Sequence, residues 1–434
     1  MTHGSGAQRT VSIDGLSRVE GEGSLHVEVR DGVVGEVALN IFEPPRFFEA
    51  LLQGRRATEA PDITARICGI CPVAYQMSAC AAVENALGVE VSQEVADLRR
   101  LLYCGEWMQS HALHIYLLHA PDFLGCADAV ELAERDRAAV ERGLAIKKIG
   151  NLLMSTVGGR AIHPVNVRVG GFYSAPAPAD VLALTEPLRR ARDQALDTVL
   201  WVSGFDFPDV EGDYRFVSLR TAGRYPIESG RVASSDGLDL TASAFDHLVV
   251  EEHVARSTAL HARLGGELDY LTGPLARYAL NSSVLPELAY QAAAGAGLGP
   301  IVTNPFQSIV VRAVELVFAC DEALRLVESY EPPSPPAVGI PIRAGVGAGV
   351  TEAPRGLLLH TYALNADGDI VTARIVPPTS QNQISIEADL RRVVQGALDL
   401  SDADLSWRCE QAVRNHDPCI SCAAHFLDVK VVRE

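Results

Sequence analysis

The sequence predicts a predominantly helical α+β fold, with small sheets from the N- and C-terminal segments around a central helical bundle. Three observations carry this. Polar and apolar residues alternate near the N-terminus, long Ala/Leu/Arg-rich stretches fill the middle, and a second alternating pair follows a proline-rich connection.

Leu25, Val27 and Val29 alternate with His26, Glu28 and Arg30; Asp31-Gly32 is a turn signal, and Val37, Leu39 and Ile41 alternate again. This pattern is that of a β-hairpin. From Arg46 the period becomes helical, with Phe47, Leu51 and Leu52 on one face, and helical stretches follow at about 62–87, 92–119, 128–150 and 179–203. Gly158-Gly159, Gly170-Gly171 and Pro176-Ala177-Pro178 interrupt them, and 214–235 is more strand-like. A further helix is expected at 306–329. Pro332, Pro333, Pro335, Pro336 and Pro341 make 331–341 an extended connection. Beyond it, Leu357 to Leu364 and Ile370 to Val376 flank the turn Asn365-Ala366-Asp367-Gly368, and Ile384 to Leu398 is expected to be helical. Gly345-Val346-Gly347-Ala348-Gly349 lacks the full dinucleotide-binding spacing and reads as a turn. The whole divides into a hairpin at about 10–43, a helical core at about 46–330, a mixed segment at about 340–425 and a tail at 426–434, within a single domain over 1–434.

The 434 residues include 37 Lys+Arg against 55 Asp+Glu, a net charge of −18, and 48% are hydrophobic. Such a chain can bury a reaction centre, while its negative charge repels nucleic-acid backbones and anionic lipid surfaces. With 6% aromatic residues, base-stacking platforms are also disfavoured. No run of about 18 uncharged apolar residues suggests a membrane span, and the polar start lacks the apolar stretch of an export signal, so a cytoplasmic location is expected. Nine cysteines in such a chain do not suggest a disulfide framework.

Four of them form two C-x-x-C pairs, in Arg66-Ile67-Cys68-Gly69-Ile70-Cys71-Pro72 and Asp417-Pro418-Cys419-Ile420-Ser421-Cys422-Ala423-Ala424-His425. Two such pairs make a soft four-sulfur cage suited to zinc, iron–sulfur or a nickel-containing centre. Zinc ribbons space their pairs about 15–20 residues apart, whereas 347 residues separate Cys71 from Cys419. A site joining the two ends of a large body suits a buried catalytic cofactor better than a local staple. Cys80, Cys104, Cys126, Cys320 and Cys409 stand singly and read as small buried apolar residues. His111, His114 and His119 share a helical stretch without an acidic ligand at metal-site spacing, and read as packing residues.

With these two motifs, and with Ser17-Arg18-Val19-Glu20-Gly21-Glu22-Gly23, Arg46-Phe47-Phe48-Glu49, Gly54-Arg55 and Glu352-Ala353-Pro354-Arg355-Gly356 in the same order, the sequence resembles the large subunit of nickel-iron hydrogenases over nearly its whole length. Tyr75 stands where the family commonly has a histidine, and Pro72-Val73-Ala74-Tyr75-Gln76-Met77 resembles the soluble, NAD(P)-linked sulfhydrogenase branch. The departure puts in doubt any role that a histidine would have there.

The resemblance implies a nickel held by Cys68, Cys71, Cys419 and Cys422, with Cys71 and Cys422 bridging to an iron that carries carbon monoxide and two cyanides. Heterolytic cleavage of hydrogen needs a hydride acceptor and a base close together in a dry site. By the same resemblance Cys419 takes the proton and Glu20 begins its relay to the surface. The resemblance further implies that Arg355 projects over the open metal position, that Asp417 orients it, that Pro354 lines the diatomic-ligand pocket and that Thr379 can donate to a cyanide. It also implies that Glu49 and His425 help bind a second cation, usually magnesium. Residues 426–434 correspond to a tail that related precursors lose once nickel is in place.

No cysteine cluster is left over for electron transfer, so the chain needs partners; the resemblance implies an iron–sulfur small (delta) subunit, and diaphorase beta and gamma subunits carrying FAD and iron–sulfur clusters that exchange electrons with NAD(P). A maturation endopeptidase and nickel chaperones follow from the same resemblance. Three alternatives have distinct signatures. A hydrogen-sensing protein would share the ligands and differ in turnover, a complex-I-like subunit would lack the four cysteines, and a zinc-stabilised scaffold would contain zinc alone.

Overall fold

The computed structural model describes residues 8–424, and it is predominantly helical with small antiparallel sheets, as the sequence predicts. The N-terminal hairpin is present as Gly23–Arg30 and Val33–Ile41. Asp31 and Gly32 both have positive φ, 53° and 76°, the pairing that matches a two-residue turn to strand twist. A third strand, Gln8–Ile13, pairs antiparallel with Gly23–Arg30. Its Val11 and Ile13 alternate with Thr10 and Ser12, but the run is too short to stand out in the sequence.

The buried face of this sheet, including Leu25, Val27 and Leu39, shares a core with Ile386 and Leu390 of the Pro378–Gln395 helix and with Leu405 and Cys409 of the Asp402–Arg414 helix. Apolar burial therefore joins the two ends of the chain. Between them lies a helical bundle of Gln93–Leu113, Arg137–Gly158, Thr185–Ser203 and Ser308–Glu328. Gln93–Leu113 packs against Arg137–Gly158 through facing glycines, where a Cβ on Gly150 would lie 2.7 Å from the Gly105 carbonyl oxygen.

Several helical boundaries differ from the sequence expectation, each for a local reason. The stretch at 62–87 breaks: Ala60–Thr64 and a 3₁₀ turn at Ala65–Ile67 lead to an extended Cys68, and Pro72, which lacks an amide donor, begins the next helix at Pro72–Leu87. The stretch at 128–150 divides at Asp136, whose carboxylate accepts from the Ala139 amide and caps Arg137–Gly158. The helix beginning at Gln93 changes to a π turn over His114–His119. Pro378 starts the late helix six residues before the expected Ile384. The hairpin Val249–His253/Leu260–Leu264 was not foreseen.

Gly345–Gly349 is not a turn. It is the first half of strand Gly345–Ala353, which pairs with Gly356–Leu364, itself paired with Ile370–Val376. Cβ atoms on Gly347 and Gly349 would lie 2.2 Å from the Ala86 amide nitrogen and 2.5 Å from that of Ala82. The glycines let this strand lie directly on the backbone of Pro72–Leu87. The proline-rich 331–341 segment contains no helix and only one bridging residue, as expected. All nine cysteines are free and buried. Among the described residues, no helix is long and apolar enough to cross a membrane.

Candidate metal centre

The break before Pro72 exposes the Cys68–Cys71 loop to the interior. Cys68 is extended and Cys71 precedes the first turn of Pro72–Leu87, so the two thiols face the same side. The amides of Ile70 and Cys71 point at the Cys68 sulfur, at 3.3 and 3.4 Å. Beneath them Glu106, fully buried on Gln93–Leu113, accepts from the Val73 and Ala74 amides at 2.6 and 3.1 Å, and Gln109 donates to the Ile70 carbonyl. These bonds satisfy helix-start donors that would otherwise be unpaired.

The second pair lies on the short helix Ile420–Ala423, with Cys419 just before it. Glu20 bridges to Cys419 in parallel fashion: its carbonyl accepts from the Ile420 amide at 3.0 Å and its carboxylate from the Ser421 amide at 3.1 Å. Gly21 has φ +90°, and a Cβ there would be 2.7 Å from that of Ile420. The glycine is thus required for this close approach. Ser421 also donates to Glu43 at 2.8 Å, and Arg46 donates to the Ser421 carbonyl.

The four sulfurs lie within 4.8 Å of one another, with Cys68–Cys419 at 3.6 Å and Cys71–Cys422 at 4.0 Å. A metal bound tetrahedrally at about 2.3 Å from each would set its sulfurs roughly 3.8 Å apart. The cage therefore fits such an ion. Mutual contacts with Cys419, Cys422 and Cys71 pull the Cys68 thiol below its ordinary range, whereas burial pushes Cys419 up. Four thiols in a dry pocket cannot all ionise without a cation to balance them.

Arg355 reaches this cage from the two-residue turn, Pro354-Arg355, between Gly345–Ala353 and Gly356–Leu364. Its Nε donates to the Asp417 carbonyl at 2.8 Å and its Nη2 to the Asp417 carboxylate at 3.2 Å. Nη1 has no partner among the described residues. Burial opposes its charge, but Asp417 and the thiols of Cys419, Cys71 and Cys68 outweigh that and hold the guanidinium charged. Burial raises the Asp417 carboxyl, against the pull of Arg355 and Arg312. Thr379, at the start of Pro378–Gln395, accepts from the Cys419 amide at 2.9 Å. Pro354 is buried in the turn, and its carbonyl accepts from Arg277 at 2.9 Å.

Glu49 is half-buried and its carboxylate accepts from the Ile375 amide at 2.6 Å. Burial pushes it up to about 7, with Glu251 adding to the shift and Arg374 opposing it. His425 and the 426–434 tail lie outside the described residues. Tyr75 is buried, its ring 5.6 Å from that of His360, and burial raises its phenol. His111, His114 and His119 are buried away from the thiol cluster, as are the five single cysteines.

The sequence did not single out Glu106, Gln109, Glu43, Arg277 or Glu315. Arg277 is the most connected of these: it pairs with Glu315 and Glu352 and donates to the Ala353 and Pro354 carbonyls beneath the turn that presents Arg355. A lone arginine inside a helical run carries no sequence signal, because most are solvated.

The family model for nickel-dependent hydrogenases matches residues 46–151. Sulfhydrogenase 1 subunit alpha of Pyrococcus furiosus is 33% identical, with 96% of this chain and 98% of that protein covered. Sulfhydrogenase 2 subunit alpha of the same organism is 31% identical, over 96% and 99%. An NAD+-reducing [NiFe]-hydrogenase solved in its H2-reduced state superposes with a TM-score of 0.87 at 27% identity, over 96% of this chain and 99% of that one. The sulfur cage, the arginine above it and this full-length likeness agree: the chain belongs to the nickel-dependent hydrogenase family, as a large subunit, and is an oxidoreductase acting on hydrogen.

Proposed function

We propose that this chain carries the hydrogen-cleaving site of a cytoplasmic, NAD(P)-linked nickel-iron hydrogenase. The observation that carries the reading is the convergence of four buried thiols from opposite ends of the chain beneath Arg355. Cys68, Cys71, Cys419 and Cys422 would hold the nickel, and Cys71 and Cys422 would also hold an iron bearing one carbon monoxide and two cyanides. When bound, that centre supplies the Lewis acid against which hydrogen splits heterolytically.

The chain's own residues handle the proton. Cys419 is the nearest base, and Glu20, whose backbone pairs with it, takes the proton onward toward the half-exposed N-terminal segment. Asp417 fixes Arg355 through two of its nitrogens, which leaves Nη1 for a ligand above the cage. Thr379 holds the Cys419 amide while its own hydroxyl hydrogen remains available to a cyanide. Pro354 closes the pocket with an apolar wall. Glu49, with His425, would hold a magnesium ion, which suits a carboxylate whose charge burial disfavours.

Electrons must leave through partners, since the remaining cysteines stand singly. An iron–sulfur small subunit is the first of these. A diaphorase module with FAD, passing electrons to NAD(P), accords with the sulfhydrogenase alpha subunits and the NAD+-reducing hydrogenase that the chain resembles.

The test is an infrared spectrum of the anaerobically purified complex at roughly 1,850–2,150 cm⁻¹, where metal-bound diatomics absorb. One strong and two weaker bands are expected. Their absence, with zinc found by metal analysis, would refute the reading and favour a zinc-stabilised scaffold. Given the bands, hydrogen-dependent reduction of NAD+ or NADP+ by the complex distinguishes turnover from hydrogen sensing.

A further inference from the structure

One buried hydroxyl beside the thiol cage has no part in the mechanism above. Tyr75 is 1% exposed, and its hydroxyl oxygen makes no well-formed hydrogen bond among the described residues. The residue sits in the first turn of Pro72–Leu87, and its amide donates to the Cys71 carbonyl at 3.4 Å. Its own carbonyl accepts from the Thr64 hydroxyl, also at 3.4 Å. The ring packs on His360, with centres 5.6 Å apart and planes at 54°, and His360 Nδ1 is hydrogen-bonded to the Tyr362 hydroxyl at 2.7 Å. Backbone and ring are therefore both fixed, and the hydroxyl is left facing sulfur. Burial is the main cause of its raised phenol value; the thiols of Cys422, Cys71 and Cys419 follow in that order, and Cys422 is also within hydrogen-bonding reach.

A hydroxyl left dry in a protein interior is costly, and folded proteins satisfy nearly all of them. The partner that satisfies this one decides its role. A phenol keeps its proton at ordinary pH and so offers one donor. A neutral thiol is a weak acceptor, whereas the thiolate is the form in which cysteine binds a metal, and its charge strengthens any hydrogen bond it accepts. Loading of the cage thus turns Cys422 from a poor partner of Tyr75 into a good one. The cage already uses this device once, since the amides of Ile70 and Cys71 point at the Cys68 sulfur at 3.3 and 3.4 Å.

We propose that, in the metal-loaded enzyme, the Tyr75 hydroxyl donates a hydrogen bond to the Cys422 thiolate and thereby lowers the electron density that this sulfur gives to the centre; the proposal rests on the hydrogenase reading. Tyr75 acts through Cys422 and touches no reacting atom. A donor on a thiolate draws charge from the sulfur, and hydrogen bonds to ligand sulfurs are one of the ways a protein sets the potential of a metal–thiolate site. The His360 ring, held by Tyr362, keeps the phenol aimed at the cage, so the donor needs no rearrangement when metal enters.

The test is the infrared spectrum of the metal-loaded complex carrying Tyr75→Phe, which removes the hydroxyl and keeps the ring, compared with the parent in the same redox state. Nickel content should match the parent. The carbon monoxide band should move to lower wavenumber by more than about 2 cm⁻¹, because a sulfur without its donor gives more charge to the iron and the iron passes more to its ligand. The potential at which the centre is reduced should fall as well. Tyr116→Phe is the control: it removes a buried hydroxyl that bonds to Thr198 at 2.6 Å rather than facing sulfur, and it should leave the band in place. A band unmoved in Tyr75→Phe, or moved equally in Tyr116→Phe, overturns the proposal. Should Tyr75→Phe fail to fold or to load metal, a high-resolution crystal structure of the unaltered complex decides. Tyr75 Oη in hydrogen-bonding contact with Cys422 Sγ supports the proposal, and a hydroxyl bonded to water or to another group overturns it. Absence of the diatomic bands from the unaltered complex would instead refute the hydrogenase reading, and the proposal with it.

Discussion

Replacing Arg277 with methionine tests whether the turn that presents Arg355 is held by a buried ion network. The Arg277 side chain is 0% exposed. It donates to Glu315 at 2.7 and 2.8 Å, to Glu352 at 3.0 Å and to the Ala353 and Pro354 carbonyls at 2.9 Å each, and its guanidinium lies 4.4 Å from the centre of the Trp107 ring. Methionine fills much of the volume and supplies none of these bonds. Removing one partner of a buried pair costs about 3–5 kcal/mol, because the other charge stays buried and unpaired. At roughly 2.1 cal/mol/K of unfolding entropy per residue, a chain of this length would lose about 3–6 °C in Tm. The pH dependence has a definite sign. Burial alone would raise the Glu315 carboxyl, but Arg277 and His111 hold it down at about 2, so its contribution in the parent is present above the unfolded value of 4.5 and lost as pH falls toward 2. In Arg277→Met the pull of Arg277 is gone and the Glu315 value rises, so the variant loses stability as pH rises above the unfolded value of 4.5. Calorimetry of the purified complex should therefore find a larger Tm deficit at pH 8 than at pH 5. A deficit below about 1 °C, or one equal at both pH values, would refute the network argument.

Other consequences are as direct. Cys419→Ala should abolish nickel loading, as read by metal analysis, because the cage keeps three of its four sulfurs. Gly150→Ala should cost about 1–3 kcal/mol, since the added methyl meets the Gly105 carbonyl and the Gln109 amide, both backbone; thermal unfolding unchanged from the parent would contradict that contact. Chelation of divalent cations should lower Tm more at pH 8 than at pH 6. Without a cation the Glu49 carboxyl, pushed up to about 7, withdraws stability as pH rises from 4.5 through 7, and a bound cation cancels that loss. An equal effect at both pH values would remove Glu49 from the cation site.

Much of the candidate site was legible because its signals are local. Two C-x-x-C pairs offer four candidate sulfur ligands whatever the chain does between them. The glycine-rich run at 345–349 was misread because sequence shows only the missing side chains. Those glycines could equally permit a tight turn or the close approach of a strand to a helix, and only the position of Ala82 and Ala86 decides. Glu106 and Arg277 were invisible for the opposite reason, since a charged residue in a helical run ordinarily faces water.

The sequence by itself determined the two thiol pairs, the hairpins at either end of the chain and the predominantly helical middle, since residue type, short spacing and periodicity are properties of neighbours along the chain. Only the tertiary structure decided that the N-terminal sheet packs on the C-terminal helices, which brings Cys68 and Cys419 to 3.6 Å from positions 351 residues apart. It also decided which charges are buried and therefore must be paired: Arg277 with Glu315, Arg355 with Asp417, Glu106 with the helix start after Cys71. Those pairings depend on desolvation, which is a property of the packed interior and has no counterpart in the order of residues.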